Sequence, residues 1–349
     1  MSASDRNFLR DLGAELEREV DGWRGDGSRE WDRIRFEIVD DGRFDASVTR
    51  DGALPAYTIA IHSGLPGGVL RIARTLLRST GSMVPEWRGL RRTEAPRRDL
   101  ASLLPDGDSR SEQIEWLARH MTRLATRFAL HHELAHLIRG HLAYESRMAR
   151  RAKAIFGLAE ARFGAELSAR ARARWRHFEV DADRVGADFF AQTTALGGWR
   201  EAELPLRRSM FALTLFSASL TFALLDSGPP ASRDGIHARA FVRYLLIVDQ
   251  LGASLARAMQ LRSRDVRRAS TTAVFWLADA LRAVSARAAR AEWRVEDPDA
   301  WRRALREKDR IEQRSDAAME RLLDGKSTLL PDVGRARPVR RRAGRSRGS

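Results

Sequence analysis

Ala129-Leu130-His131-His132-Glu133-Leu134-Ala135-His136-Leu137-Ile138-Arg139-Gly140-His141 is the stretch on which the fold and chemistry of this chain turn. Upstream of it Ile114, Leu117, Met121, Leu124 and Phe128 recur at helical spacing from Ser111 onward, with no Pro or Gly before Gly140, so the stretch sits on a long α-helix. His132 and His136 are four residues apart, one turn along one face, and their imidazoles can converge on a single metal ion. Glu133, one step round the helix, can reach a metal-activated water without ligating the metal itself. Gly140 can end the helix or let another backbone approach closely.

Two imidazoles leave a zinc ion short of a third protein ligand. Glu179, in Phe178-Glu179-Val180-Asp181-Ala182-Asp183, is the candidate. Glu179 and Asp183 again share a helical face, so that the first can ligate and the second can fix the orientation of a ligand imidazole. Asp181 and Asp188 read as solvated. His131 lies about 100° round the helix from His132 and does not join the cluster easily. His141 reads as structural: a third histidine ligand at metzincin spacing would stand where this chain has Leu142. There is no cysteine, so any zinc must be held by His and carboxylates.

Taken together, His132-Glu133-x-x-His136 followed by Glu179-Val180-Asp181-Ala182-Asp183 resembles the gluzincin metallopeptidases whose signature is His-Glu-x-x-His plus Glu-x-x-Ala-Asp. Leu134-Ala135 and Leu137-Ile138 match the apolar filling of the first element, and His-Glu-Leu-Ala-His-x-x-x-Gly-His is similar to bacterial cytosolic members: phage-exclusion peptidases and repressor-cleaving peptidases of mobile elements. The likeness spans about residues 110 to 195. It implies one Zn2+ ion held by His132, His136 and Glu179, Glu133 as general base, Asp183 behind a ligand imidazole, and cleavage of a specific protein substrate. Relatives carry a later His-Pro-x-x-x-x-Arg segment, to which His237-Ala238-Arg239-Ala240-Phe241-Val242-Arg243 corresponds with Ala238 in place of Pro. His237, Arg243 and Tyr144 are therefore candidates for stabilising an oxyanion or orienting the site; a helix start with solvated basic side chains is the plainer alternative for the 237–243 segment.

Composition sets the limits around that site. With 349 residues, 43% of them hydrophobic, the chain can bury a sizeable core as one large domain or two. The N-terminal run Met1-Ser2-Ala3-Ser4-Asp5-Arg6-Asn7-Phe8-Leu9-Arg10 has no apolar stretch of signal-peptide length, from which a cytoplasmic location is expected. The net charge of +15 would suggest a nucleic-acid partner, but seven arginines lie between Arg335 and Arg347. Such a tail can touch nucleic acid or anionic lipid non-specifically, or can simply be solvated. Met210 to Leu225 is free of charge. It is shorter than the roughly 20 apolar residues of a spanning helix and carries two Ser and two Thr, which favours a buried helix over a membrane span.

Along the chain, residues 5 to 24 form a helix with Phe8, Leu9, Leu12, Leu16 and Val20 in one stripe. Ile34–Val39, the turn Asp40-Asp41-Gly42 and Arg43–Val48 read as a hairpin, with Tyr57–His62 as a third strand. In the resembling peptidases an edge strand pairs with extended substrate, and Tyr57–His62 is the candidate for it. Val69–Leu77 is a short helix, Ser79–Ser109 a loop or lid, Tyr144–Arg174 an Arg- and Ala-rich excursion, and Trp175–Gln192 the second ligand helix. Four more helices are expected, at about 203–226, 232–261, 269–293 and 298–323. The fold class is then α+β, predominantly α: a small N-terminal antiparallel sheet, a zincin-type active-site helix and a helical C-terminal half. Residues 1–195 form the metallopeptidase core, 196–330 a helical region packed on it, and 331–349 a disordered basic tail. The chemistry is zinc-dependent hydrolysis of a protein or peptide substrate. A non-catalytic zinc protein that binds DNA or a partner, and a membrane-associated peptidase, are the alternatives; an intact Glu133 speaks against the first, since a structural site has no use for a base beside the water.

Overall fold

A computed structural model describes residues 2–24, 34–51, 56–79, 110–142, 169–195, 202–226, 240–284 and 298–323. The 80–109 stretch, most of the 144–174 excursion, the 331–349 tail, Tyr144 and His237 lie outside these residues. The described chain is predominantly helical, with one small three-stranded sheet.

Helix α1 (Ala3–Arg24) starts on a reciprocal cap. Ser2 Oγ accepts from the Asp5 N–H at 3.1 Å and Asp5 Oδ2 accepts from the Ser2 N–H at 3.3 Å, which satisfies donors that the first helical turn leaves without partners. Its stripe of Phe8, Leu9, Leu12, Leu16 and Val20 is buried.

The sheet corrects the expected antiparallel hairpin. Strands β1 (Ile34–Val39), β2 (Ala46–Asp51) and β3 (Ala56–His62) lie in the order β1-β3-β2. β3 runs parallel to β1, with Ile34 opposite Tyr57, and antiparallel to β2, with Ala46 opposite Ile61. The sheet is therefore mixed, and the antiparallel pair is β2 with β3. The cause is the connection between β1 and β2. Residues 40–45 are long enough to cross two strand spacings, about 10 Å, and they pass over the end of β3 instead of folding back on β1. Gly42 takes a left-handed conformation, φ +69°, and Ser63 Oγ accepts from its N–H at 3.2 Å while donating to Asp40 Oδ1 at 3.1 Å. A side chain at Gly64 would sit 2.2 Å from the Gly42 carbonyl oxygen, so glycine is needed where the crossing meets the chain. Tyr57–His62 is thus the central strand, with both edges paired, and cannot take up an extended substrate; β1 and β2 are the outer strands.

Helix α2 (Gly64–Ser79) begins five residues earlier than expected, with the Phe44 ring seated on Gly68. α3 (Arg110–Ile138) is the long helix, and it packs against β2 and β3, α2, α4 (Ala169–Ala195) and α5 (Leu204–Asp226). Every residue of α5 from Ser209 to Thr221 is buried. Three of its hydroxyls are answered by carbonyls: Thr214 donates to Met210 at 2.7 Å, Ser219 to Leu215 at 2.6 Å and Thr221 to Ala125 of α3 at 3.4 Å, which helps a Ser/Thr-bearing helix sit inside a protein. Among the described residues no helix is long and apolar enough to cross a membrane. α6 (Ala240–Ala258) packs along α4 and α5, α7 (Ser263–Val284) on α5 and α2, and α8 (Pro298–Leu323) across α4 and α6. One continuous core runs from Phe8 in α1 to Ala304 in α8.

Candidate metal centre

The two signature elements meet where α3 and α4 cross. α4 comes close to α3 at Gly186, where a Cβ would lie 2.9 Å from His132 Cα and 3.0 Å from the His131 carbonyl oxygen. Gly186 is seven residues from Glu179 and three from Asp183, so all three share the face turned toward α3. Close backbone approach here is what brings the carboxylates of α4 to the histidines of α3.

His132, His136 and Glu179 are buried and could hold a metal ion. The two Nε2 atoms are 3.2 Å apart. Glu179 Oε1 is 3.3 Å from His136 Nε2 and Oε2 is 3.4 Å from His132 Nε2. Bonds of about 2.0–2.1 Å to a tetrahedral ion place neighbouring ligand atoms about 3.3–3.4 Å apart. The donor set fits zinc in chemistry and in spacing. Glu133 stands beside it, Oε1 4.0 Å from His132 Nε2 and outside the group of three.

Behind His132, Asp183 Oδ1 lies 2.9 Å from Nδ1. Arg243 of α6 grips the same carboxylate with two bonds, Nε to Oδ2 at 2.9 Å and NH2 to Oδ1 at 2.8 Å, and reaches Glu179 Oε2 at 3.5 Å. Arg243 is itself buried, and of the two roles set out for it the geometry matches the orienting one. Behind His136, Nδ1 lies 3.1 Å from Nδ1 of His141, whose Nε2 is 3.1 Å from Asp181 Oδ2. Arg139 donates to Asp181 through Nε at 2.7 Å and NH2 at 3.3 Å. Gly140, φ +70°, closes α3 and turns His141 back beneath His136; the His141 ring stacks on Phe178, centroids 4.5 Å apart. His131 points elsewhere, to Glu19 of α1 and Thr193 of α4, both at 3.2 Å.

These positions revise the expected solvation of Asp181 and Asp188 and show what surrounds His141. Asp181 is bound to Arg139 and His141 rather than solvated, because it meets the end of α3. His141, expected to be structural, contacts the His136 ring directly. Asp188 accepts from Gln250 at 2.8 Å and from Ser254, tying α4 to α6. Gly186 was not singled out from sequence; a glycine three residues after Asp183 on the expected helix was its signal.

The electrostatics follow from burial. Three carboxylates, Glu133, Glu179 and Asp183, are buried here, and the Arg243 guanidinium pairs with Glu179 and Asp183. Burial pushes the Glu133 carboxyl up, and the charges of Glu179 and of Asp45, at the entrance to β2, act in the same direction against the two histidines. Burial opposes charge on His132, but the Asp183 and Glu179 carboxylates overcome it and raise its pKa well above the ordinary histidine value. Asp183 is held low against its own burial by Arg243 and His132. Burial brings the His141 imidazole down to about 4.

Set against known proteins, the chain matches no protein family, no curated protein and no solved structure.

Proposed function

We propose that the chain is a zinc-dependent peptidase of the gluzincin kind, which hydrolyses peptide bonds in a specific protein substrate with Glu133 as general base. The observation that carries this is the spacing of His132, His136 and Glu179: two imidazole Nε2 atoms of one helix 3.2 Å apart, the two carboxylate oxygens of Glu179 on another helix 3.3 and 3.4 Å from them, and the Glu133 carboxylate alongside but outside the set. A divalent ion would also bring positive charge to a site lined by buried carboxylates.

Zinc held there would supply a Lewis acid that acidifies water and polarises a carbonyl. The chain's own residues do the rest. Glu133, its pKa raised toward neutrality by burial, accepts a proton from the attacking water and returns it to the leaving amine. Asp183, held by Arg243, keeps the His132 ring turned with Nε2 toward the site. β2, an outer strand packed beside α3, is the strand placed to pair with an extended peptide, the part that Tyr57–His62 cannot play. Restriction to one protein substrate rests on the resemblance to repressor-cleaving and phage-exclusion peptidases.

The test is a comparison of proteome-wide cleavage by the full chain and Glu133→Gln, each with its zinc content measured. Cleavage confined to the unaltered chain, with zinc bound in both, supports the enzyme; identical cleavage profiles contradict it.

A further inference from the structure

His136 has two ring nitrogens, and holding a metal uses only Nε2. Its Nδ1 faces Nδ1 of His141 at 3.1 Å, with both side chains buried. Two imidazole nitrogens form a hydrogen bond only when one carries a proton and the other a lone pair. The far side of His141 decides which. Its Nε2 lies 3.1 Å from Asp181 Oδ2, and a carboxylate ionised by its pairing with Arg139 can only accept. The proton of His141 is therefore on Nε2. A neutral imidazole carries a single proton, and the contact with Asp181 assigns it to Nε2. His141 Nδ1 then holds a lone pair, His136 Nδ1 must be the donor, and His136 Nε2 is left with its lone pair directed at His132 and Glu179.

We infer that His141 and Asp181, pinned by Arg139, form a hydrogen-bonded relay that fixes His136 as its Nδ1-protonated tautomer and so keeps Nε2 a standing electron-pair donor toward a divalent metal. His141 and Asp181 are positioning residues that act through His136, and this role rests on the metal reading of the site. The opposite arm has the same logic without the intermediary: Arg243 holds Asp183, which stands directly against His132 Nδ1. On the His136 side a second imidazole spans the gap between the carboxylate and the ligand. The left-handed turn at Gly140 makes that possible, because it ends α3 and leaves the His141 ring against His136. The packing of His141 on Phe178, three residues from Asp181 and next to Glu179, ties the relay to the helix that supplies the third ligand.

Long-range 1H–15N correlation spectra of the full chain, zinc-free and zinc-loaded, read the tautomers directly. His136 is expected to carry its proton on Nδ1 and His141 on Nε2 in both; a bare Nδ1 on His136 overturns the relay. A second arm compares zinc affinity, by competition with a chromophoric chelator, in H141L and H141Q. Leucine fills the space but cannot accept from His136, and is expected to weaken zinc binding about 10- to 100-fold. Glutamine offers a carbonyl oxygen to His136 Nδ1 and is expected to restore most of the loss. Unchanged affinity in H141L, or equal losses in both variants that track the melting temperature of the zinc-free proteins, overturns the inference by reducing His141 to packing. A starting protein that takes up no zinc fails at the metal reading, a result distinct from a zinc protein indifferent to H141L.

Discussion

Two clusters of charged side chains join helices in this protein, and their burial separates them. Between α1, α2 and α3, Arg74 donates to Asp5 at 2.6 Å and to Glu115 at 2.6 and 2.8 Å, and Arg119 donates to Glu115 at 2.6 Å. Two arginines meet two carboxylates at a partly exposed seam. Between α3, α4 and α6, Arg243 pairs with Glu179 and Asp183 while Glu133 stands beside His132, all buried. The first cluster is complete as it stands, and its worth is that of partly exposed ion pairs, up to about 1 kcal/mol each. The second gathers three carboxylates in buried surroundings, where charge is costly. An arrangement of that kind costs stability unless a ligand completes it, and such sites are where function is found.

The contrast can be broken by experiment, most severely at Glu133. Glu133→Gln is expected to lower peptide cleavage by about 10²- to 10⁴-fold while zinc content and melting temperature hold; undiminished turnover would make the buried carboxylates a structural oddity. Next, Arg243→Met leaves Asp183 and Glu179 without their guanidinium. Breaking a buried pair from one side costs about 3–5 kcal/mol, read as a lower urea midpoint in the zinc-free protein. Arg74→Met at the seam is expected to cost about 1 kcal/mol, and a loss equal to that of Arg243→Met would erase the distinction between the clusters.

Gly186→Ala tests the close approach that assembles the site. The added methyl meets His132 backbone at 2.9 Å, and the helices must part at a cost of about 1–3 kcal/mol. Zinc affinity should fall with it, since the Glu179 carboxylate moves with α4. The smallest effect is acid titration at the seam. Arg74 and the Ser2 cap hold Asp5 down at about 2 against an ordinary 3.8, so the stability it lends is fully present above pH 4 and is lost as pH falls through about 2. The stability difference between the unaltered chain and Asp5→Asn, under about 1 kcal/mol at neutral pH, should vanish by that point; a difference that grows on acidification would reverse the sign.

The helical parts were legible because one residue type after another points the same way. The α1 stripe, the uncharged α5 and the paired spacings of His132 with His136 and Glu179 with Asp183 all follow from a 3.6-residue period. The sheet was not, because strand pairing is decided by where the connection goes. Asp40-Asp41-Gly42 has the composition of a tight turn, and only the bonds from Ser63 to Asp40 and Gly42 show that it crosses β3. The end of α6 was hidden for another reason: Gln260 takes a left-handed conformation, φ 54°, without the glycine that usually announces it. At the site, the ligands could be read along each helix, whereas His141 and Asp181 come together only through the crossing of α3 and α4. No spacing within one segment encodes that contact.

The central claim is tested most directly by the metal content of the full chain as purified, measured by plasma mass spectrometry beside His136→Ala and Glu179→Ala. About one equivalent of zinc in the unaltered chain, lost in both variants, is the result expected of a site built from two imidazoles and one carboxylate. No bound zinc, or an equivalent that survives both substitutions, would contradict it.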